Sequence, residues 1–501
     1  MIRHICFIRT RAPFQFSRWH LGLFSFYTHV EDERYSGLAI HLRGLLVWSL
    51  GSLVFGYLGA VSALFLVWNR NQALGLGYGE MLLLPCHWDS IQERRAEASV
   101  DAGLQAMKDS HWADGEMLIR SGLQKTPGIL TGRSQLAYFY VVTGRWWLGA
   151  PLLASGFSLR YPGRPYLEEA FAVAEVADDL ELCTDWCRQL LGRFGGSMPP
   201  ADRSWLVLRE AQFLFAQEKF QEVADVAASH ADQDGAGLRE LQVLALLKLG
   251  DCTQALAKLE LWQRRQPGDA VLITCLQAEA LRKAGRLDEM ELNLDRACAM
   301  ASREPTVLLF SVTERFQAGR RESAEGALEL YLRRFEQPSF QVEAAMASLA
   351  EVKYAGGMDR LLRFATEERL PLKQMVLSKA LFHLTEAEID PSRKLLQELD
   401  KLWDLENPRD QFLRDFFKLL VEAAAEGSIE TRLRFENFCD ERRLEWGDSL
   451  RAAKVFARFN QNQTALKVLD LALERNPSSY HLSALKKKIQ ADMDTKTVKA
   501  E

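Results

Sequence analysis

Apolar side chains recur every three or four positions along most of this chain, which is the period of an amphipathic α-helix. From about residue 91 onward this pattern comes in short segments separated by glycine, asparagine and proline, without the alternation of a strand. Residues 44–68 differ, because they form one apolar run without a charged side chain. The pattern therefore predicts an all-α protein in which one long apolar helix precedes many short amphipathic ones.

The apolar run is long enough to cross a membrane. As a helix it would measure about 37 Å, and the hydrocarbon core of a bilayer is about 30 Å thick. Trp48 and Trp68 lie near its ends, where indole rings favour the headgroup region. We expect a transmembrane helix within residues 38–70, in contact with the lipid bilayer through residues 44–68. A buried helix of a soluble protein is the alternative.

Three small side chains recur every four residues within the run. Ser52, Gly56 and Ala60 would lie along one side of the helix. A stripe of this kind lets a second helix approach closely, so it is a candidate packing face for a homo-oligomer. Glycine and alanine are also common in membrane helices in general, and the sequence leaves both interpretations open.

Residues 1–37 are expected to form a basic N-terminal tail. Residues 1–43 hold six arginines, at positions 3, 9, 11, 18, 34 and 43, whereas only Arg70 lies between the run and Arg94. Positive flanks tend to stay in the cytoplasm, which places the rest of the chain on the external or periplasmic side. The first 30 residues contain no acidic side chain, so they also resemble an organelle transit peptide, and an organelle inner membrane is the alternative location of the protein.

Residues 446–477 indicate how the short helices pair. Two antiparallel helices pack closely where small side chains lie at their crossing, and larger neighbours fill the grooves. The segment has Ala453, Ala465 and Ala472 beside Phe456, and Pro477 ends it because proline cannot continue a helix. The sequence therefore predicts a helical hairpin here.

The order of these residues resembles the tetratricopeptide (TPR) repeat, a helical hairpin of 34 residues. Asn460 takes the place of the glycine that usually separates the two helices. Incomplete copies occur upstream, and Trp262 and Met290 occupy places that the family keeps small. The marker residues of these copies are Gly103, Gly115, Gly122 and Pro127; Ala137, Tyr140, Gly144 and Pro162; Gly250, Ala255, Leu259 and Pro267; Ala278, Gly285, Leu294 and Ala297; Gly319, Ala324 and Leu328.

The resemblance implies an all-α, TPR-like solenoid of about eleven helical hairpins over residues 96–480. It leaves residues 71–95 as a juxtamembrane linker and residues 481–501 as a helix end and tail. The hairpins between about residues 165 and 203, and between 341 and 445, match the pattern poorly. A bundle of non-repeating helices is the alternative.

The family binds partners on the concave surface formed by the first helix of each hairpin. The resemblance therefore implies a groove for an extended peptide or a helix, and mixed aromatic and cationic side chains would suit a partner with some acidic character. The corresponding residues are Trp205, Gln212, Phe215, Leu247, Lys248, Glu279, Arg282, Lys283, Phe316 and Gln317.

Composition and motifs offer little evidence of chemistry. The formal net charge is −5 at pH 7, which does not favour nucleic acid as a partner. No nucleophile elbow, phosphate-binding loop or metalloprotease motif occurs in the sequence. Cys183 and Cys187 are four residues apart, but two ligands do not complete a tetrahedral metal site, so we expect small buried thiols. We expect neither a cofactor nor an enzyme.

These observations predict a membrane-anchored TPR scaffold or adaptor that mediates protein–protein interactions. By analogy with the family, assembly or secretion at a bacterial envelope is the expected setting. Two alternatives stay open. One is a TPR chaperone or import adaptor that faces the cytoplasm or an organelle matrix. The other is an enzyme whose site on the helical scaffold matches no known motif.

Overall fold

The computed structural model describes residues 4–8, 16–20, 23–29, 32–72, 77–158, 161–230, 235–334, 338–442 and 444–498. The chain divides into two compact units, Met1–Phe139 and Tyr140–Glu501. Helices dominate both units from residue 42 onward.

The N-terminal residues form a sheet, which corrects the expectation of a basic tail over residues 1–37. Its four strands are ordered β1-β4-β3-β2, with β1 parallel to β4 and the other pairs antiparallel. Strand β3 has the sequence FSFYTH, and aromatic and β-branched residues of this kind favour strands. The strands are β1 (His4–Ile8), β2 (Phe16–His20), β3 (Phe24–His29) and β4 (Asp32–His41).

The apolar run forms helix α1, Leu42–Gln72, so the helix begins four residues later than the predicted boundary at residue 38. Residues 38–41 belong to β4 instead. In the described part of the chain, Leu42–Trp68 is the one segment long and apolar enough to cross a bilayer, and its most apolar window is only 6% buried. The prediction of one long apolar helix near the N-terminus is confirmed.

Most of the expected linker at residues 71–95 is helical, which is a second correction. Gly77 precedes helix α2 (Tyr78–Leu82), and its backbone N–H donates to Glu80 Oε2 at 3.2 Å. Helix α3 begins at Leu84. Residues 73–76 of the expected linker lie outside the described residues. The linker was expected because glycines surround Tyr78, but Glu80 satisfies the N–H group that would otherwise be left free at the start of the helix.

Antiparallel helical hairpins follow in the described residues, and they confirm the TPR-like solenoid. The first unit contains the hairpin of α3 (Leu84–Lys108) with α4 (Trp112–Lys125), and α5 (Leu130–Val142), which crosses the boundary at residue 140, precedes α6 (Trp146–Ala154). The others are α7 (Arg164–Val176) with α8 (Leu180–Phe194), α9 (Pro200–Ala216) with α10 (Phe220–Ser229), α11 (Ala236–Leu249) with α12 (Cys252–Arg265), α13 (Ala270–Lys283) with α14 (Leu287–Met300), α15 (Pro305–Gln317) with α16 (Arg321–Arg333), α17 (Pro338–Glu351) with α18 (Ala355–Glu367), α19 (Lys373–Thr385) with α20 (Ile389–Leu399), α21 (Pro408–Glu426) with α22 (Ile429–Arg442), and α23 (Trp446–Arg458) with α24 (Asn462–Arg475).

A final helix, α25 (Tyr480–Val498), covers the last hairpin. Its Leu482 and Ile489 are buried in the same apolar cluster as Leu469 of α24. The helix continues through most of the segment that was expected to end as a tail, because these contacts bury one of its faces. Residues 499–501 lie outside the described residues.

Each hairpin turn contains one residue with a left-handed backbone. These residues are Ser110, Gly144, Asp178, Glu218, Gly250, Gly285, Gly319, Lys353, Ala387, Gly427 and Asn460. Most neighbours in this series lie about 34 residues apart, which is the TPR period. The period continues through residues 341–445, where the sequence pattern was weakest. Two of the three turn residues in that range, Lys353 and Ala387, are not glycine, and their turns therefore gave no signal in the sequence.

The turn at Ala387 is strained, since its φ of 63° places an alanine in the left-handed region. That conformation costs an L-residue about 1 to 2 kcal/mol, whereas glycine adopts it freely and loses about 0.5 to 1 kcal/mol in backbone entropy. We expect Ala387→Gly to stabilise the α19–α20 hairpin by about 0.5 to 1 kcal/mol.

Hydrogen exchange of α19 and α20 measures this effect. The matched control is Gly319→Ala, which creates the opposite change at an equivalent turn where an added Cβ would meet no atom within 4 Å. It should destabilise α15 and α16. If the amide hydrogen exchange rates of these helices are the same in both variants and in the parent protein, the left-handed turns are not strained.

Within the second unit, the start of α25 contacts the α7–α8 turn, 299 to 303 residues earlier in the chain. Asp178 is 2% exposed, and its Oδ2 accepts from Ser479 Oγ at 2.6 Å and from the backbone N–H of His481 at 2.9 Å. Its Oδ1 lies 2.6 Å from His481 Nδ1. Asp178 therefore acts as an N-terminal cap for a helix that is distant in sequence.

Backbone carbonyls of two hairpin turns accept further hydrogen bonds at this contact. Asn476 Nδ2 donates to Ala177 O at 2.7 Å, and Tyr480 N donates to Asp178 O at 2.9 Å. The hydroxyl of Tyr480 donates to the carbonyl of Gln217, in the next turn, at 2.7 Å. We call this set the closing contact (Asp178, Asn476, Ser479, Tyr480 and His481). It holds α25 against the hairpins α7–α8 and α9–α10.

Candidate functional site

The first helices of four successive hairpins line one groove in the second unit. Helices α11, α13, α15 and α17 each contribute side chains, and the groove has a volume of about 610 Å³. Stacked hairpins place their first helices side by side, so a continuous surface of this kind follows from the repeat. The lining residues are Lys248, Glu279, Arg282, Lys283, Thr306, Leu309, Phe310, Thr313, Glu314, Gln317, Ala344, Ser348, Glu351 and Val352.

Half of the residues predicted for the concave surface lie in this groove. Lys248 lies near the end of α11, Glu279, Arg282 and Lys283 near the end of α13, and Gln317 at the end of α15. The structure thus brings these five side chains together across three hairpins. Their role in binding a partner stays a prediction.

The other five predicted residues lie elsewhere. Leu247 is 2% exposed and packs in the core between α11 and α12, because it lies on the inner side of its helix. The ring of Phe316 stacks on that of Tyr354 with centroids 4.1 Å apart. The burial of Leu247 corrects the expectation of a surface contact, whereas Phe316 is partly exposed and its role stays a prediction.

The three residues predicted on α9 lie outside the groove. Trp205 packs against Phe171 with centroids 5.8 Å apart, and Phe215 packs against Phe220 at 5.2 Å. Gln212 is exposed and accepts a hydrogen bond from Arg209 at 3.0 Å. The aromatic side chains of this hairpin therefore stabilise the packing between neighbouring helices.

The cations of the groove are paired with acids of the same chain. Arg282 Nε lies 2.7 Å from Glu314 Oε2, and Lys283 Nζ lies 3.3 Å from Glu279 Oε1. Lys283 also donates to the carbonyl of Leu247 at 3.0 Å. Burial raises the pKa of the Glu314 carboxyl, and the Arg282 guanidinium opposes this shift. The Arg282–Glu314 ion pair joins α13 to α15, and the Lys283–Leu247 hydrogen bond joins α13 to α11.

The pairing weakens the sequence argument for an acidic partner. Glu314 and Glu351, which the sequence pattern does not single out, bring the lining to three acids and three bases. Within the described residues, Lys248 and Glu351 are the two lining charges that have no ion pair. The exposed charges of the groove therefore balance, and they do not favour a partner of one sign.

The remaining lining side chains are apolar or neutral and polar. Leu309, Phe310 and Val352 offer partly buried apolar surface. The hydroxyls of Thr313 and Ser348 donate to carbonyls of their own helices at 2.9 and 3.1 Å, so their lone pairs can accept. Gln317 is exposed and can donate and accept. This combination can bury apolar side chains of a peptide and satisfy its backbone N–H groups.

Cys183 and Cys187 are buried thiols, as the sequence predicts. Burial raises the pKa of each thiol, so neither is present as a thiolate at neutral pH. In the part of the chain that the structure describes, no three His, Cys, Asp or Glu side chains are placed to hold a metal ion.

No model of a known protein family matches this sequence, and no curated protein does. Similar solved structures include Naa15/Naa10 bound to HypK-THB, with 10% sequence identity and a TM-score of 0.34 over 87% of this chain and 66% of that chain. Yeast Tom70 has 12% identity and a TM-score of 0.27 over 82% and 98%. The P58(IPK) TPR domain has 13% identity and a TM-score of 0.19 over 80% and 99%.

This chain spans slightly less than two thirds of the matched Naa15/Naa10 chain. TM-scores this low do not indicate a shared arrangement of hairpins. The TPR-like fold rests instead on the helices of this chain and on the regular spacing of their left-handed turns.

Proposed function

We propose that this protein is a membrane-anchored scaffold that binds an extended peptide or a helix of a partner protein in the groove of α11, α13, α15 and α17. The observation that carries this proposal is the groove itself. It combines apolar surface with hydrogen-bonding groups, and the Arg282–Glu314 ion pair and the Lys283–Leu247 hydrogen bond already join α11, α13 and α15 before a partner binds. A rigid groove lowers the entropy cost of binding.

Helix α1 supports the anchor. Its exposed apolar side chains include Leu46, Leu53 and Phe55, which are 64%, 69% and 77% exposed. Contiguous apolar surface of this size is costly in water and suits the interior of a bilayer. Ser52, Gly56 and Ala60 are exposed as well, so this stripe stays available for a second helix.

The proposal places the repeats outside the cytoplasm, at a bacterial envelope. Arg34 and Arg43 precede the apolar run closely, and only Arg70 follows it at a similar distance. This bias favours a cytoplasmic N-terminus. Of the cysteines in the repeats, Cys183, Cys187, Cys275 and Cys439 are buried, so they would be protected in an oxidising compartment. A phosphatase fused to the C-terminus distinguishes this orientation from the cytoplasmic one.

Photo-crosslinking in membranes tests the groove. A benzophenone side chain at Gln317 should form an adduct with one partner or a few, whereas the same group at Arg264, exposed on the second helix α12, should not. We expect Thr313→Arg to reduce the Gln317 adduct severalfold, because a long side chain would fill the groove.

The matched control is Thr253→Arg, which adds the same side chain on α12 outside this groove. It should leave the adduct unchanged. The groove is not the binding site if Gln317 and Arg264 give the same adducts, or if both arginine variants have the same effect.

A further inference from the structure

Residues 78–88, here called the tip segment, lie against the second half of α1. The hydroxyl of Tyr57 donates to the carbonyl of Leu82 at 2.7 Å, and the hydroxyls of Ser62 and Tyr78 are 2.8 Å apart. Val61, Met81 and Ile91 are buried together. The chain thus leaves α1, returns alongside it as far as Tyr57 and turns again into α3.

These contacts set the depth of the tip segment relative to α1. A helix whose uncharged run enters a core of about 30 Å at Gly44 leaves it after about 20 residues, near Leu64. Tyr57 then lies about 10 Å inside that boundary. The backbone carbonyl of Leu82 accepts a hydrogen bond from Tyr57 and therefore lies at the same depth in the bilayer.

The composition of the tip segment fits that depth. Glu80 is its only Asp, Glu, Lys or Arg, and it forms an ion pair with Arg94 at 2.9 Å. Leu83 and Trp88 are 54% and 46% exposed although both are large and apolar. Charged residues resume at Asp89, on the part of α3 that leads away from the tip.

The backbone turns within the tip segment. Helix α2 ends at Leu82, and the helical geometry of α3 is interrupted at His87, where φ is −114° and ψ is 17°. Leu83 lies between the two helices, and Cys86 is exposed one residue before the interruption. The turn is therefore the most apolar and the deepest part of the segment.

We propose that the tip segment is inserted into one leaflet of the bilayer, with Leu83, Cys86 and Trp88 in contact with lipid. This inference rests on the proposed role of α1 as a membrane anchor. Amphipathic elements at membrane surfaces lie about 5 to 10 Å into the boundary between headgroups and acyl chains, which is the depth that the Tyr57–Leu82 hydrogen bond gives. Insertion fixes the direction in which α3 leaves the membrane.

Cys86 provides a probe for this proposal. The full chain carries a nitroxide at Cys86, with Cys6, Cys252 and Cys298 replaced by serine, in vesicles of phosphatidylcholine and phosphatidylglycerol. Leu50→Cys marks the middle of the apolar helix and Glu97→Cys an exposed position on α3, each in the Cys86→Ser background. Collision rates with oxygen and with a water-soluble nickel chelate report the depth of each label.

We expect the Cys86 label to meet the nickel chelate severalfold less often than the Glu97→Cys label and to meet oxygen more often. Leu83→Asp should raise the nickel collision rate at Cys86, because a carboxylate would draw the turn into water. Met117→Asp is the matched control, since Met117 is an exposed apolar residue on α4, and it should have no effect.

Two outcomes overturn the proposal and can be distinguished. If Leu50→Cys is protected from nickel but Cys86 is as accessible as Glu97→Cys, the anchor is correct and the tip segment lies in water. If Leu50→Cys is accessible too and the protein leaves the vesicles at alkaline pH, α1 is not a membrane anchor and the inference fails with it.

Discussion

Asp178→Asn should release the last helix of the array from the α7–α8 turn. Asparagine tolerates the left-handed backbone of this position, where φ is 56°, so the turn itself should persist. In the variant, an NH₂ group replaces one of the two carboxylate oxygens. Whichever oxygen is replaced, at least one hydrogen-bond donor of Ser479 or His481 loses its acceptor. A buried donor left without an acceptor costs about 1 to 3 kcal/mol.

The distance between spin labels at Glu181→Cys on α8 and Lys487→Cys on α25 measures the closing contact. Both positions are exposed and lie outside the hydrogen bonds described. In the parent protein the distance distribution should be narrow, and in Asp178→Asn it should broaden and move to longer distances. Amide exchange should accelerate in residues 476–483.

The control is Asp251→Asn, which alters a carboxylate that caps α12 within its own hairpin by accepting from Gln254 N at 2.9 Å. It should affect α12 locally and leave the label distance unchanged. An unchanged distance in Asp178→Asn as well would mean that the packing of the hairpins alone positions α25.

The closing contact should also weaken as the pH rises. The hydrogen bond that the His481 imidazole donates to the Asp178 carboxylate raises the pKa of His481 above its ordinary value. Burial and the charge of Lys454 oppose this shift, and the charge of Glu218 favours it. The contribution of the charged imidazole is therefore complete below about pH 6.5, the ordinary value, and is lost as the pH rises through the folded value. Because 40% of the His481 side chain is exposed, solvent and salt reduce the effect. Asp178→Asn should abolish this pH dependence.

The sequence predicted the hairpins best where the turn residue is glycine or asparagine. At Gly250, Gly285, Gly319 and Asn460 the pattern of apolar residues and the turn signal agree. At Lys353 and Ala387 the same left-handed turn forms without such a signal, because hairpin packing on both sides enforces it. Tertiary contacts of this kind override the local conformational preference of a residue, so the sequence of a single repeat does not reveal these turns.

The sequence predicted only some of the groove residues, again because the stacking of hairpins decides which side chains meet. Positions along the first helices indicated Arg282 and Lys283, but their acid partners come from two different places, the next hairpin for Glu314 and the same helix for Glu279. Only the stacking of the hairpins shows that these charges neutralise one another. The closing contact was not predictable at all, since it joins turns about 300 residues apart.

Gly122→Ala should destabilise the first hairpin, although the same change elsewhere in a helix is favourable by about 1 kcal/mol. A Cβ at Gly122 would lie 2.7 Å from the backbone oxygen of Ala96 and 2.8 Å from Val100 Cγ2. Gly103 and Gly115 approach equally closely, since a Cβ on either would lie 2.9 Å from the backbone oxygen of the other. The backbones of α3 and α4 must therefore separate to admit a methyl group, and overpacking of this kind costs about 1 to 3 kcal/mol.

Gly326→Ala is the matched control for this prediction, because it lies within α16 where an added Cβ would meet no atom within 4 Å. Hydrogen exchange should become faster across residues 84–125 in Gly122→Ala and slower across α16 in Gly326→Ala. Each change should remain local, since a repeat contacts mainly its neighbours. Slower exchange in both variants would show that α3 and α4 do not cross at Gly122. Opposite signs would show that Gly122 lets the backbones of α3 and α4 touch, as small residues do where two helices cross closely.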